Sequence, residues 1–147
     1  MLVVHPFRDP ILRQYARRKQ LFPGSEVLPA FASLTVVQAV QGLGGQQTGY
    51  ASWFDALADM QRRMDAADYE VAVIGAGAYG LPLAVHARDT GHAAIQMSGA
   101  TQLLFGIRGR RWDTHPQISR LYNDAWVRPA ENEGIARRDA VEGGSYW

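Results

Sequence analysis

Short apolar runs along the chain alternate with stretches whose apolar positions recur at helical spacing. "MLVVHPF", "SLTVVQAVQ", "YEVAVIG" and "HAAIQM" have the β-branched or continuously apolar character of buried strands. Between the first two, "PILRQYARRKQLF" is predicted to be helical, with Asp9 as N-cap and Pro10 at its first position. Ile11, Leu12, Tyr15 and Leu21 then face inward, and Arg13, Arg17, Arg18 and Lys19 outward. "WFDALADMQRRMDAA" is predicted to be a second helix, capped by Ser52, with Trp53, Phe54, Leu57, Met60 and Met64 at helical spacing. A third helix is expected from about Tyr79 to Asp89, stopped by Gly91, and a short one after "SGATQ". Beyond "WDTHPQ" the pattern weakens. "ISRLYNDAW" is a weaker helical candidate, and Tyr122 to Trp126 are candidates to pack over a ligand cleft.

Strand and helix alternate throughout, which predicts an α/β fold: a Rossmann-like three-layer sandwich with a mainly parallel sheet. Residues 1–128 are expected to form this domain and 129–147 an irregular carboxyl-terminal tail. The 147 residues suit one core, and 47% hydrophobic with 20% charged residues is an ordinary globular balance. A net charge of +1 gives no global field for nucleic acid. With no cysteine, disulfides and thiolate metal sites are excluded. No apolar run is long enough to span a bilayer, and no leader is visible, so a cytoplasmic protein is expected. A homo-oligomer stays open. The strong preference for arginine over lysine fits anion chemistry, but a GC-rich genome explains it equally well.

In such sheets ligands bind beyond the carboxyl ends of the strands, which singles out "HPFRD", "GAGAYG" and "SGATQ". Gly75, Gly77 and Gly80, with Tyr79 among them, match G-x-G-x-x-G between a strand and a helix. The turn reads as a phosphate contact or as a purely structural bend. A dinucleotide is disfavoured, because "IQMSGA", where a ribose-binding acid belongs, has none. Ser98, Gly99, Thr101 and Gln102 are candidates to hold a sugar or phosphate, with helix capping by Ser98 as the alternative. Arg110 and Arg111, with Arg108 and Trp112 in "GIRGRRWD", could clamp a diphosphate and stack on a ring, or simply be solvated. His5, at the end of the first strand, is a candidate acceptor base and equally a structural histidine. His86 and His92 read as structural. The "DYE" pair, Asp68 and Glu70, precedes its strand and so lies at the wrong end for a ligand. No metal ligand is assigned. No nucleophile elbow, Walker lysine or zinc helix occurs.

"VIGAGAYGLPLA", "GATQLLFGIRGRRWD" and "YNDAWVRP" resemble a largely uncharacterised bacterial family with the GT-D-type glycosyltransferase fold. The resemblance runs from "VVHPF" to "EGGSYW", with "SGATQ" where that family often has "GGATQ". It implies a nucleotide-sugar donor and a divalent ion, Mn or Mg, on an upstream Asp-x-Glu pair in a Gly-Asp-Gly-Glu segment. No segment of that form occurs here. With a start in mid-strand, this leads us to expect an amino-terminally truncated domain or a reduced homologue. The implied activity is nucleotide-sugar-dependent glycosyl transfer, or its donor-binding half. The alternatives are a non-catalytic nucleotide- or phosphate-binding module and, less favoured, an NAD- or FAD-dependent oxidoreductase. On the leading reading Gly75, Gly77 and Gly80 admit the phosphates, Thr101 and Gln102 hold sugar or ribose, and Arg110 and Arg111 offset leaving-group charge.

Overall fold

The structure, a computed structural model, describes residues 1–42, 47–130 and 142–147. Its strands are β1 (Leu2–His5), β2 (Thr35–Gln38), β3 (Val71–Ile74) and β4 (Ala93–Gln96), joined in one sheet of order β2-β1-β3-β4. Every pairing is parallel: Leu2 lies opposite Thr35 on one side and Ala72 on the other, and Val71 lies opposite Ala93. Parallel neighbours need a crossover, and helices supply each one. Helices α1 (Arg8–Ala16) and α2 (Arg18–Leu21) join β1 to β2. Helix α3 (Trp53–Asp65) joins β2 to β3, α4 (Gly80–Asp89) joins β3 to β4, and α5 (Ala100–Leu104) follows β4. The fold is thus α/β, Rossmann-like and three-layered, with a wholly parallel sheet.

Successive strand side chains point to opposite faces, so the same strands feed two cores. Leu2, Val4, Ala72 and Ile74 pack with Ala56, Met60 and Met64 of α3 and Leu83 and Ala87 of α4. Val3, Val36 and Val73 face the other way, against Ile11, Leu21, Phe105, Ile107, Trp126 and Trp147. Of the expected tail over 129–147, residues 131–141 lie outside the described residues, while Trp147 is buried in this second core. No helix among the described residues is long and apolar enough to cross a membrane.

Several local expectations meet the structure closely. Ser52 caps α3, its Oγ accepting from the Asp55 amide at 3.1 Å. Others are corrected. Helix α1 starts at Arg8, and Phe7 at its N-cap offers no side-chain bond. Asp9 sits inside the first turn, where its carboxylate takes Arg8 Nη1 at 2.9 Å. Pro10 is tolerated there because first-turn amides have no helical partner. The single predicted helix over 10–22 breaks at Arg17, whose guanidinium reaches Gln14 Oε1 at 2.8 Å and the Ala125 carbonyl. Phe54 is 72% exposed, one residue off the inward stripe of Leu57, Met60 and Met64. Ser98 does not cap α5; Gly99 holds that position, and Ser98 adopts a left-handed φ of 49°.

"ISRLYNDAW" forms only a short 3-10 turn, Ser119–Leu121, before turning extended. Its aromatics pack beside α2 rather than over the cleft. Trp126 Nε1 donates to the Leu21 carbonyl at 3.0 Å, and Asn123 Nδ2 donates to the carbonyls of Gln20 and Leu21. These are orphan acceptors at a helix end, and the segment satisfies them.

Replacing Met60 by Ala should cost about 2–5 kcal/mol in urea unfolding, because the side chain is wholly buried. Phe54→Ala, on the same helix, should cost no more than about 1 kcal/mol. Equal losses would contradict the placement of α3.

Candidate functional site at the switch point of the sheet

From β1 the chain crosses to β2 on one side, and β3 lies on the other side of β1. The connections leaving β1 and β3 therefore part company, and a crevice opens above His5 and Gly75. It is a cleft of about 470 Å³, within the roughly 300–1,000 Å³ of small-molecule sites. Of the residues singled out from the sequence, His5, Gly75, Gly77, Tyr79, Ser98, Gly99 and Gln102 line it. Gly80, Thr101, Arg110, Arg111 and Trp112 do not.

The glycines of the turn have different tasks. A Cβ on Gly75 would come within 2.6 Å of the Ser98 carbonyl and Thr101 Oγ1 and within 2.7 Å of the His5 ring, so that position is a close-packing one. Gly80 is less constrained, since the atom 2.9 Å away is the amide end of the Gln96 side chain, which can move. Gly77 alone of the motif has a left-handed φ, 53°, and nothing within 4 Å of where a side chain would start. It follows Ala76 at φ −121°, ψ 28°. A turn with a left-handed glycine of this kind can gather successive N–H groups into a concavity. Gly75 donates to the Val4 carbonyl and Tyr79 to Ala76, but the amides of Ala76, Gly77 and Ala78 have no backbone acceptor among the described residues. These three residues line the cleft, at the positive end of α4.

His5 and Gln102 form the polar part of the floor. His5 is 4% exposed, and its Nδ1 accepts from the Phe7 amide at 3.1 Å. Burial lowers its pKa to about 3, so the ring is neutral near pH 7. With Nδ1 accepting, the proton sits on Nε2, which is a donor. Gln102 is fully buried, and its Nε2 donates to the carbonyls of Ile107 (3.4 Å) and Tyr146 (3.2 Å). Two carbonyl partners fix the amide orientation. Oε1 is itself buried and has no partner among the described residues. Thr101 is also fully buried, its hydroxyl tucked behind Gly75.

Aromatic rings make the walls. Trp53, at the start of α3, stacks on Tyr79 with centroids 4.8 Å apart and planes 5° from parallel. Burial pushes the Tyr79 hydroxyl pKa up, so it remains a phenol at neutral pH. Tyr146 and Trp147 close the opposite side. The arginine loop holds that closing segment. Arg111 lies over the Tyr146 ring at 4.0 Å and donates to Ser145 Oγ at 2.9 Å, and its amide donates to the Ser145 carbonyl. The Arg110 amide donates to the Trp147 carbonyl, and its guanidinium reaches Gly143. Arg108 points elsewhere, over Tyr122. Trp112 is half-buried beside His115.

Sequence reasoning missed Trp53, Tyr146 and Trp147 as cleft residues. Trp53 shares the helical stripe of α3 and reads as core. Tyr146 and Trp147 carried a usable signal, two adjacent aromatics ending a polar, glycine-rich stretch.

A Mn or Mg ion calls for several oxygen ligands, usually carboxylates. No Asp or Glu lines this cleft among the described residues. Asp68 and Glu70 are exposed ahead of β3, at the end of the strand opposite Gly75. The residues described thus do not fit such an ion, and no step is drawn through one. His86 pairs with Asp65 at 2.7 Å and His92 stacks on Tyr69. Comparison with protein-family models, curated proteins and solved structures returns no significant match. The reading of the site rests on its geometry.

The His5 ring protonates at about 3 when folded and near 6.5 when unfolded. Between these values the unfolded chain binds more protons, so His5 makes stability fall as pH falls, by up to about 1.4 kcal/mol per pH unit. Urea titrations from pH 7 to 4 should show this slope, and His5→Asn should flatten it; an unchanged slope would contradict the buried neutral ring. Separately, Gly75→Ala should lower stability by at least about 1 kcal/mol, since the blocking atoms include backbone.

Proposed function

We propose that this chain binds a nucleotide sugar in the switch-point cleft and serves as the donor-binding half of a glycosyltransferase. The observation that carries the reading is a turn around left-handed Gly77 that lines a cleft of ligand size and whose Ala76, Gly77 and Ala78 amides have no backbone acceptor among the described residues. Amides so arranged suit a phosphate, and α4 adds its positive end. Trp53, Tyr79, Tyr146 and Trp147 offer apolar faces to a base or sugar ring. His5 Nε2–H supplies a donor for hydroxyl or base-edge atoms. Arg111 acts through Tyr146, which it holds in place.

A second reading, a phosphate-binding module without chemistry, is favoured by one feature. Among the described residues the cleft offers neither a carboxylate nor a basic imidazole to take an acceptor proton. A dinucleotide fits less well. Gln96, at the end of β4 where the ribose-binding acid belongs, has its side chain against Gly80.

Calorimetric titration with UDP- and GDP-sugars, with and without Mn²⁺, should give a Kd below about 1 mM for at least one donor. Gly77→Asn keeps the left-handed turn but puts a side chain into the open space, and should weaken binding at least about tenfold. Silence across the panel from folded protein would refute the proposal. Binding without turnover in the presence of acceptors favours the module.

A further inference from the structure

The sheet ends on β4, and its outer side is bare. Ala93 donates to the Glu70 carbonyl and Met97 to that of Ile74, so odd-numbered residues of β4 turn their backbone groups to β3. Those of Ala94 and Gln96 point outward, and their amides have no backbone acceptor among the described residues. Natural edges are commonly blunted by charged side chains or proline; "AAIQ" has neither. Apolar side chains flank this edge on both faces of the sheet. Ile95 lies on the Val73 face and is 54% exposed. On the other face α4 packs over β3 and β4. His86 turns toward α3, where it meets Asp65. At about 100° per residue, Leu81 lies about 140° round the helix from His86 and Arg88 about 160°, on the flank away from α3. Leu81 is 63% exposed, and Val85, one turn on, is exposed as well. Arg88 pairs with Asp89, so the two add no net charge to this flank.

We propose that two copies of the chain join at this edge, β4 against β4, antiparallel about a twofold axis. The free groups set the register. Pairing Ala94 with Gln96 of the second copy, and the reverse, exchanges both bonds at each pair and brings the two Ile95 side chains together on the axis. An axis at residue 94 or 96 would instead call on His92 or Ser98, whose amides already donate to Ala87 and Ile74. A four-residue edge falls short of the roughly 800 Å² per partner of a stable interface. The α4 flanks, antiparallel across the same axis, extend the contact with Leu81 and Val85. A second copy matches the edge and both apolar flanks, whereas an added peptide strand would use the edge and leave α4 bare. The inference goes beyond the nucleotide-sugar reading and does not depend on it.

Sedimentation velocity of the full chain should show a monomer–dimer equilibrium with a Kd below about 100 μM. Ile95→Lys sets two like charges face to face on the axis and should weaken association at least about tenfold. Leu81→Lys should weaken it too, and carries the test if the first variant does not fold. Phe54→Lys, at an exposed position on α3, should leave the Kd within about twofold. Amide hydrogen exchange then locates the contact: Ala94 and Gln96 should be protected in the dimer and exchange at least about tenfold faster in the monomeric variant. A chain that stays monomeric up to about 300 μM would overturn the inference. So would a dimer that the folded lysine variants at residues 81 and 95 leave unchanged.

Discussion

The Gly75 amide donates to the Val4 carbonyl at 2.8 Å, the last rung of the ladder between β1 and β3. Directly above it both strands leave the sheet. Because β1 continues toward β2 and β3 toward β4, nothing in the connectivity covers this point. The rung also brings His5, Gly75 and the Ser98 carbonyl close enough that a single Cβ would disrupt them. Register between two short buried strands thus decides where the cleft lies and how deep its floor is. Slipping β3 by one residue would move Gly75 off this contact and turn Val73 and Ile74 to the wrong cores.

The chemistry of the floor follows from burial. A histidine surrounded by protein and already accepting from Phe7 cannot easily hold a second proton, so it offers Nε2–H instead of basicity. Gln102, wholly buried with its amine donating to two carbonyls, anchors Tyr146 beneath the cleft. Such a floor is suited to positioning polar ligands, not to moving protons. The arginines beside the cleft serve the protein's own chain, holding Ser145 to Trp147 as a wall.

Much of the fold was legible because its signals are local. "VAVI" followed by glycines could only be a buried strand with a sharp exit, and Ser52 before an apolar stripe is a helix start. What escaped was decided at long range. Gln14, which no sequence pattern singles out, is buried, and its amine satisfies the carbonyls of Gly106 and Ala125. Asn123 and Trp126 were candidates for the cleft, yet the carbonyls at the end of α2 claim them. The glycine motif marked a turn that lines the cleft but not the division of labour within it. Only coordinates separate Gly75, constrained by packing, from Gly77, constrained by φ.

The account rests on the amides of residues 76–78 meeting an anion. The most direct measurement is the proton shift of those amides in the ¹⁵N-labelled chain as a UDP- or GDP-sugar is added. Saturable downfield movement of Ala76, Gly77 and Ala78 together is the predicted result. Nucleotide-sugar binding that leaves these signals unmoved would contradict it.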